Sequence, residues 1–139
     1  MIVLDTNVVS EPMRPRGDQR VISWVNQQAP ATLYITATVL AELLLGVDNL
    51  PEGRRKTGIA RDLADFIASL FHGRILPFDE RSAAHYATIV GSARRAGRAI
   101  GIANGQVAAV AARHGFAVAT RDTTPFEAAG LRVIDPWMT

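Results

Sequence analysis

The stretch "IGIANGQVAAVAARHGFAVATRD", residues 100–122, contains a helix, its stop signal, a strand and an acid in unbroken succession. Ala and Val dominate residues 103–114, as expected of a helix that turns its apolar positions inward. Gly115 then supplies the C-terminal stop. "FAVAT" at 116–120 is a short, continuous apolar run of the kind found in a strand covered on both faces, and Asp122 stands just beyond it. One polar residue interrupts the pattern. Asn104, followed by the helix-weakening Gly105, stands at the threshold of an otherwise oily helix.

The same alternation extends in both directions. "MIVL" at 1–4, "LYI" at 33–35, "RILPF" at 74–78 and "LRVI" at 131–134 are further strand candidates. Between them the spacing of apolar residues predicts helices over about 18–28, 37–47, 51–72 and 80–98, with a short helical turn near Pro125–Ala129. Thr36 or Thr38 is placed to cap the second of these, Pro51 suits the first turn of the third, and Asp79 caps the fourth. Strands alternating with helices predict an α/β fold, one domain over residues 1–139, with a central parallel sheet of about five strands and helices on both faces. Ligands in such sheets gather beyond the carboxyl ends of the strands.

Composition narrows the class. A chain of 139 residues with 48% hydrophobic content is long enough to bury a real core. No apolar run approaches the roughly 20 residues needed to cross a bilayer, and Met1 leads straight into an apolar strand with no cationic leader. The absence of cysteine excludes disulfides and thiolate metal sites. The expected location is the cytoplasm. Fourteen of the 15 basic residues are Arg, yet the net charge is only +2, which permits a nucleic-acid partner without demanding one.

The chemistry-bearing residues follow the strands. Asp5 ends the first strand in "IVLDTN", and Asp122 repeats that arrangement in "ATRD". Glu42 lies within "TATVLAELLLGV", a helix apolar on almost every side, where an unpaired carboxylate is expensive and marks a site; the alternative is a Glu that faces the surface between Leu40 and Leu43 or pairs with a nearby Arg. His72, His85 and His114 share no ligand-like spacing, so zinc is disfavoured and the three are read as ordinary surface or helix-end residues. Carboxylate oxygens instead favour Mg²⁺ or Mn²⁺. No Walker loop or dinucleotide fingerprint is present. An Asp-based phosphatase would also place an Asp after its first strand, but needs a second Asp two residues on, and position 7 is Asn.

Taken in order, "IVLDTNVVSEP", "ITATVLAELLLGV", "LPFDERSAAHYA", "IANGQVAAVAARHGFAVATRD" and "GLRVIDPW" resemble the PIN-domain ribonucleases of the VapC/FitB toxin type, over essentially the whole chain. The resemblance implies metal-dependent cleavage of RNA phosphodiester bonds by a toxin that forms a homodimer and is neutralised by a cognate antitoxin. It places the family's acids on Asp5, Glu42 and Asp122, with Asn104 at a position where the family carries Asp. Family members often show Asn at the position of Asp122, with an Asp three residues later, where this chain has Pro125. The four residues are the expected catalytic and metal-binding set, supported by Thr6, Asn7 and Thr120. Arg121, and more remotely Arg94, Arg95 and Arg98, are expected to contact RNA, whereas Arg54–Lys56 is expected to be a solvated helix face. Apolar residues 39–47 and 63–71 are the expected dimer surfaces. A neutral Asn104 should hold metal more weakly than a fourth acid would. It also suits a helix N-cap. The alternative is a PIN-fold module kept for antitoxin binding, with little catalysis.

Overall fold

The computed structural model describes all 139 residues. Five parallel strands, β1 (Ile2–Leu4), β2 (Leu33–Thr36), β3 (Ile75–Leu76), β4 (Ala117–Ala119) and β5 (Val133–Ile134), lie in the order β3-β2-β1-β4-β5. Seven helices cover both sides: α1 (Thr6–Ser10), α2 (Gln19–Gln27), α3 (Ala37–Asp48), α4 (Arg54–Leu70), α5 (Glu80–Arg95), α6 (Ile102–His114) and α7 (Thr123–Ala128). The chain builds outward from β1 through β2 to β3, then crosses back to place β4 on the other side of β1. The direction of winding therefore reverses between β1 and β4, which opens a crevice at their carboxyl ends.

The sheet is apolar on both faces. Val3 is paired with Tyr34 on one side and Val118 on the other. Val3, Leu33, Ile35 and Val118 are fully buried, together with Val8, Val39, Val107 and Phe71 from the helices. Burial on both faces explains the unbroken apolar runs in place of alternation.

Local boundaries depart from the sequence reading in instructive ways. Thr36 is the cap of α3, its hydroxyl accepting from the Val39 amide at 3.0 Å; Thr38 instead donates to Gln106 Oε1 at 2.9 Å. Pro51 lies in the connection before α4, which starts only after Gly53 in a positive-φ conformation. Helix α5 begins at the Asp79 cap as expected but ends at Arg95, because Gly97 adopts a left-handed backbone that breaks the turn. Helix α1 falls in a stretch that sequence periodicity left unassigned. Residues 63–71 do not form a free dimer face: Leu63 and Phe71 belong to the core, and Phe66, Ile67 and Leu70 pack against it.

Candidate active site

Asp5 is the anchor of the site. It follows β1 and caps α1, its Oδ1 accepting from the Thr6 amide at 2.8 Å, while its own amide donates to Ala119 of β4. Its Oδ2 accepts from the Thr120 hydroxyl at 2.8 Å. The carboxyl group is only 5% exposed. Burial pushes its pKa above the ordinary aspartate range, the bonds from Thr120 and Thr6 oppose that rise, and the nearby charges of Glu42 and Asp122 add to it. The last influence places all three acids in one electrostatic neighbourhood.

Thr120 is the hub that joins β1 to β4. Fully buried, it donates to Asp5 and accepts from the Asp122 amide at 3.1 Å and from Asn7 Nδ2 at 3.4 Å. The Asn7 side chain completes the tie by accepting from the Arg121 amide at 3.2 Å. Thr6 performs the equivalent task toward α3, donating to Glu42 Oε1 at 2.8 Å. Of the three residues read from sequence as supports, Thr6 and Thr120 bond named acids, whereas Asn7 ties Thr120 to the Arg121 amide.

Glu42 departs from the sequence reading. It is exposed, not sunk in an oily environment. Leu44 and Leu45 are themselves 54% and 59% exposed, whereas Leu43 is buried. The leucine-rich helix is covered on its inner face, and its outer face is open.

Asn104 is not the helix cap. Gly101 occupies that position, and Asn104 sits in the first turn of α6, half-buried. It lines an open cleft of about 740 Å³ with Asp122, Arg98, Thr124 and Glu127. Asp122 precedes α7 and lines the same cleft, and its side chain accepts no capping bond. Gly105 sits beside Asn104 for a packing reason: a methyl group there would lie 2.8 Å from Tyr86 and 3.0 Å from Val90 of α5. What reads in the sequence as a weak spot in the helix is a place where α5 and α6 pack tightly against each other.

Arg121 is exposed, but its guanidinium rests 5.2 Å from the centre of the Trp137 ring, a cation–π contact that ties the C-terminal residues to the end of β4. Arg98, which sequence ranked as more remote, is in the cleft wall. Glu127 and Thr124 were missed, because a short turn of α7 carries no periodic signal. Glu11 was missed too; it is 4% exposed, and its Oε1 accepts from the Asp18 amide at 2.8 Å, closing the loop between α1 and α2.

The donors suit a hard cation: carboxylate and amide oxygens without sulfur or imidazole. No three Asp, Glu or His side chains converge on a common point. The negative charges of Glu42 and Asp122 that add to the raised pKa of Asp5 are of the kind a bound cation relieves.

A five-stranded parallel sheet with acids at the switch point defines the class, and the chain belongs to the PIN-domain family, whose model matches residues 2–131. Within that family it is 46% identical over 137 residues to VapC ribonuclease Y4jK of Sinorhizobium fredii, covering 99% of this chain and 98% of the relative. It is 47% identical to toxin FitB of Neisseria gonorrhoeae, covering 99% of both. The crystal structure of FitAcB from Neisseria gonorrhoeae superposes with a TM-score of 0.96 at 46% identity, covering all of both chains. No helix is long and apolar enough to cross a membrane.

Proposed function

We propose that this chain is the ribonuclease toxin of a toxin–antitoxin pair, using Mg²⁺ or Mn²⁺ held by Asp5, Glu42 and Asp122, with Asn104 as a neutral fourth contact. The observation that carries this reading is the buried Asp5 carboxyl, held between Thr6 and Thr120, whose pKa is raised by burial and further by the charges of Glu42 and Asp122. A buried acid with other acids near it is costly for a merely structural group and useful for one that binds a cation.

A divalent ion bound there supplies charge for the phosphate oxygens and acidity for an attacking water. The protein's own contribution is positional. Thr120 and Thr6 set the directions of Asp5 and Glu42. Asp122, whose side chain accepts no capping bond, lines the cleft. Arg98, on the same cleft wall, offers a guanidinium to the RNA backbone. Asn104 contributes an amide that accepts and donates hydrogen bonds but adds no negative charge, so metal is held more weakly than with Asp at that position.

The cognate antitoxin and a second copy of this chain are the proposed partners. The exposed Leu44 and Leu45 of α3 offer apolar area for such a contact. The cytoplasm is the proposed location. One observation favours the second reading, a module retained for antitoxin binding: a neutral side chain stands at one of four acid positions.

The discriminating experiment is RNA cleavage with Mg²⁺ or Mn²⁺, beside chelator, Asp5→Asn and Glu42→Gln. The nuclease reading expects cleavage that chelator abolishes and that each substitution lowers by at least a hundredfold. Cleavage that survives chelator and both substitutions defeats the proposed site. Antitoxin binding without cleavage, even in Asn104→Asp, selects the second reading.

A further inference from the structure

The net charge of +2 conceals a strong local asymmetry. Residues 79–114, which form the α5–α6 pair, carry five arginines and only two acids, Asp79 and Glu80; the rest of the chain carries ten basic and eleven acidic residues. The two helices run antiparallel, since Asp79 before α5 meets Arg113 near the end of α6 at 3.3 Å. At that end, away from the catalytic cleft, lies a second pocket of about 670 Å³, lined by Arg81, Ala84, His85, Arg113 and His114.

The hydrogen-bonding inventory of this pocket is incomplete. Arg113 directs one terminal nitrogen to His114 Nε2 at 2.7 Å and the other to Asp79, while its Nε is buried with no partner. Arginine can only donate, so His114 Nε2 accepts, and the ring carries its hydrogen on Nδ1. Arg113 is thus engaged or buried at each nitrogen, and a ligand entering the pocket would meet the donors of Arg81 and His85. Arg81 and His85 are exposed and form no hydrogen bond or ion pair with the chain, and Asp79 alone opposes this charge by direct contact.

From the pocket an exposed polar stripe of Arg81, His85, Thr88, Ser92 and Arg95 follows α5 at helical spacing toward Arg98 in the cleft wall. No acid lies on it. Fourteen residues of helix separate Arg81 from Arg95, a rise of about 21 Å.

We propose that the Arg81–His85–Arg113–His114 pocket is an exosite for a backbone phosphate of the RNA, engaged when the strand lies along α5 with its scissile bond at the cleft. This rests on the ribonuclease reading for its substrate. The pocket secures length and orientation of the RNA and makes no contact with bases, so it raises affinity for long substrates without selecting sequence.

The test separates the pocket from the catalytic centre. Binding of a labelled hairpin RNA of about 20 nucleotides is measured by fluorescence anisotropy in chelator, across a salt series, for the wild type, Arg81→Gln and Arg81→Gln/His85→Gln. Cleavage of the hairpin and of a trinucleotide is measured alongside in Mg²⁺. Loss of Arg81's phosphate contact should flatten the slope of log K against log salt by about 1. The hairpin's KM should rise about three- to tenfold with kcat unchanged, and the trinucleotide should be indifferent. Arg81 has no intramolecular partner, so its substitution leaves folding intact. Unchanged slope and KM overturn the exosite while cleavage persists. Equal losses on hairpin and trinucleotide also overturn it. Binding that depends on Arg81 in a protein that never cleaves supports the pocket as an RNA phosphate site and overturns the nuclease reading, and with it the exosite role. Inorganic phosphate binding with no effect of Arg81→Gln on RNA overturns it as an RNA site.

Discussion

Asn104→Asp isolates one unit of charge in the site. Asn104 and Asp122 line the same cleft, which is open to solvent, so the effective dielectric is closer to that of water than to that of a sealed interior. A new carboxylate about 4 Å from a divalent ion gains about 2 kcal/mol at a dielectric near 80. Repulsion from the neighbouring acids acts in the metal-free and the metal-bound protein alike, so it cancels from the binding free energy. Metal affinity should therefore rise about thirtyfold, since 1.4 kcal/mol is a factor of ten. The same repulsion, without metal to relieve it, should lower the thermal midpoint of the metal-free protein. Calorimetric titration with Mn²⁺, cleavage at limiting metal, and thermal unfolding with and without chelator give three readouts. Equal Mn²⁺ affinities, equal rates at limiting metal and an unchanged metal-free midpoint would refute the reasoning that charge at position 104 governs the site.

Two other perturbations test the scaffold. Gly105→Ala should destabilise the protein by about 1–3 kcal/mol, because its methyl group meets Tyr86 and Val90; chemical denaturation measures this, and a neutral result would mean that α5 and α6 separate without cost. Asp5→Asn should stabilise the metal-free protein near neutral pH, since it removes a buried charge. The sign follows from a folded-state pKa raised above the unfolded value: Asp5 begins to weaken the fold as pH rises past its unfolded pKa, and that penalty is fully developed above its folded pKa. The stabilisation should vanish in acid, where both forms are neutral, and a pH series of thermal midpoints checks it. A gain that is constant with pH would show that burial of charge is not its origin.

Legibility from sequence divides along physical lines. The strand at 116–120, the helix before it and the acid after it were all readable from local signals, because burial on both faces forces continuous apolar runs and a helix needs its stop. Glu42 was found for a partly wrong reason: its helix is rich in leucine, but sequence does not say whether a neighbour covers those side chains. Thr120 and Thr6 were named only as residues beside the acids. Their hydroxyls, bonded to Asp5 and Glu42, became specific contacts once β4 and α3 were set against β1.

What the sequence by itself determined is the set of elements and the identity of their ends: apolar runs that must become buried parallel strands, and Asp5 and Asp122 just beyond two of them. That followed from periodicity and from the cost of burying polar groups, both local properties. Only the tertiary structure decided which ends meet. Strand order β3-β2-β1-β4-β5 brings residues more than a hundred positions apart within hydrogen-bonding distance, leaves Glu42 in solvent, and puts Gly105 under Tyr86. Those outcomes depend on how whole elements pack against each other, and no window of neighbouring residues contains that information.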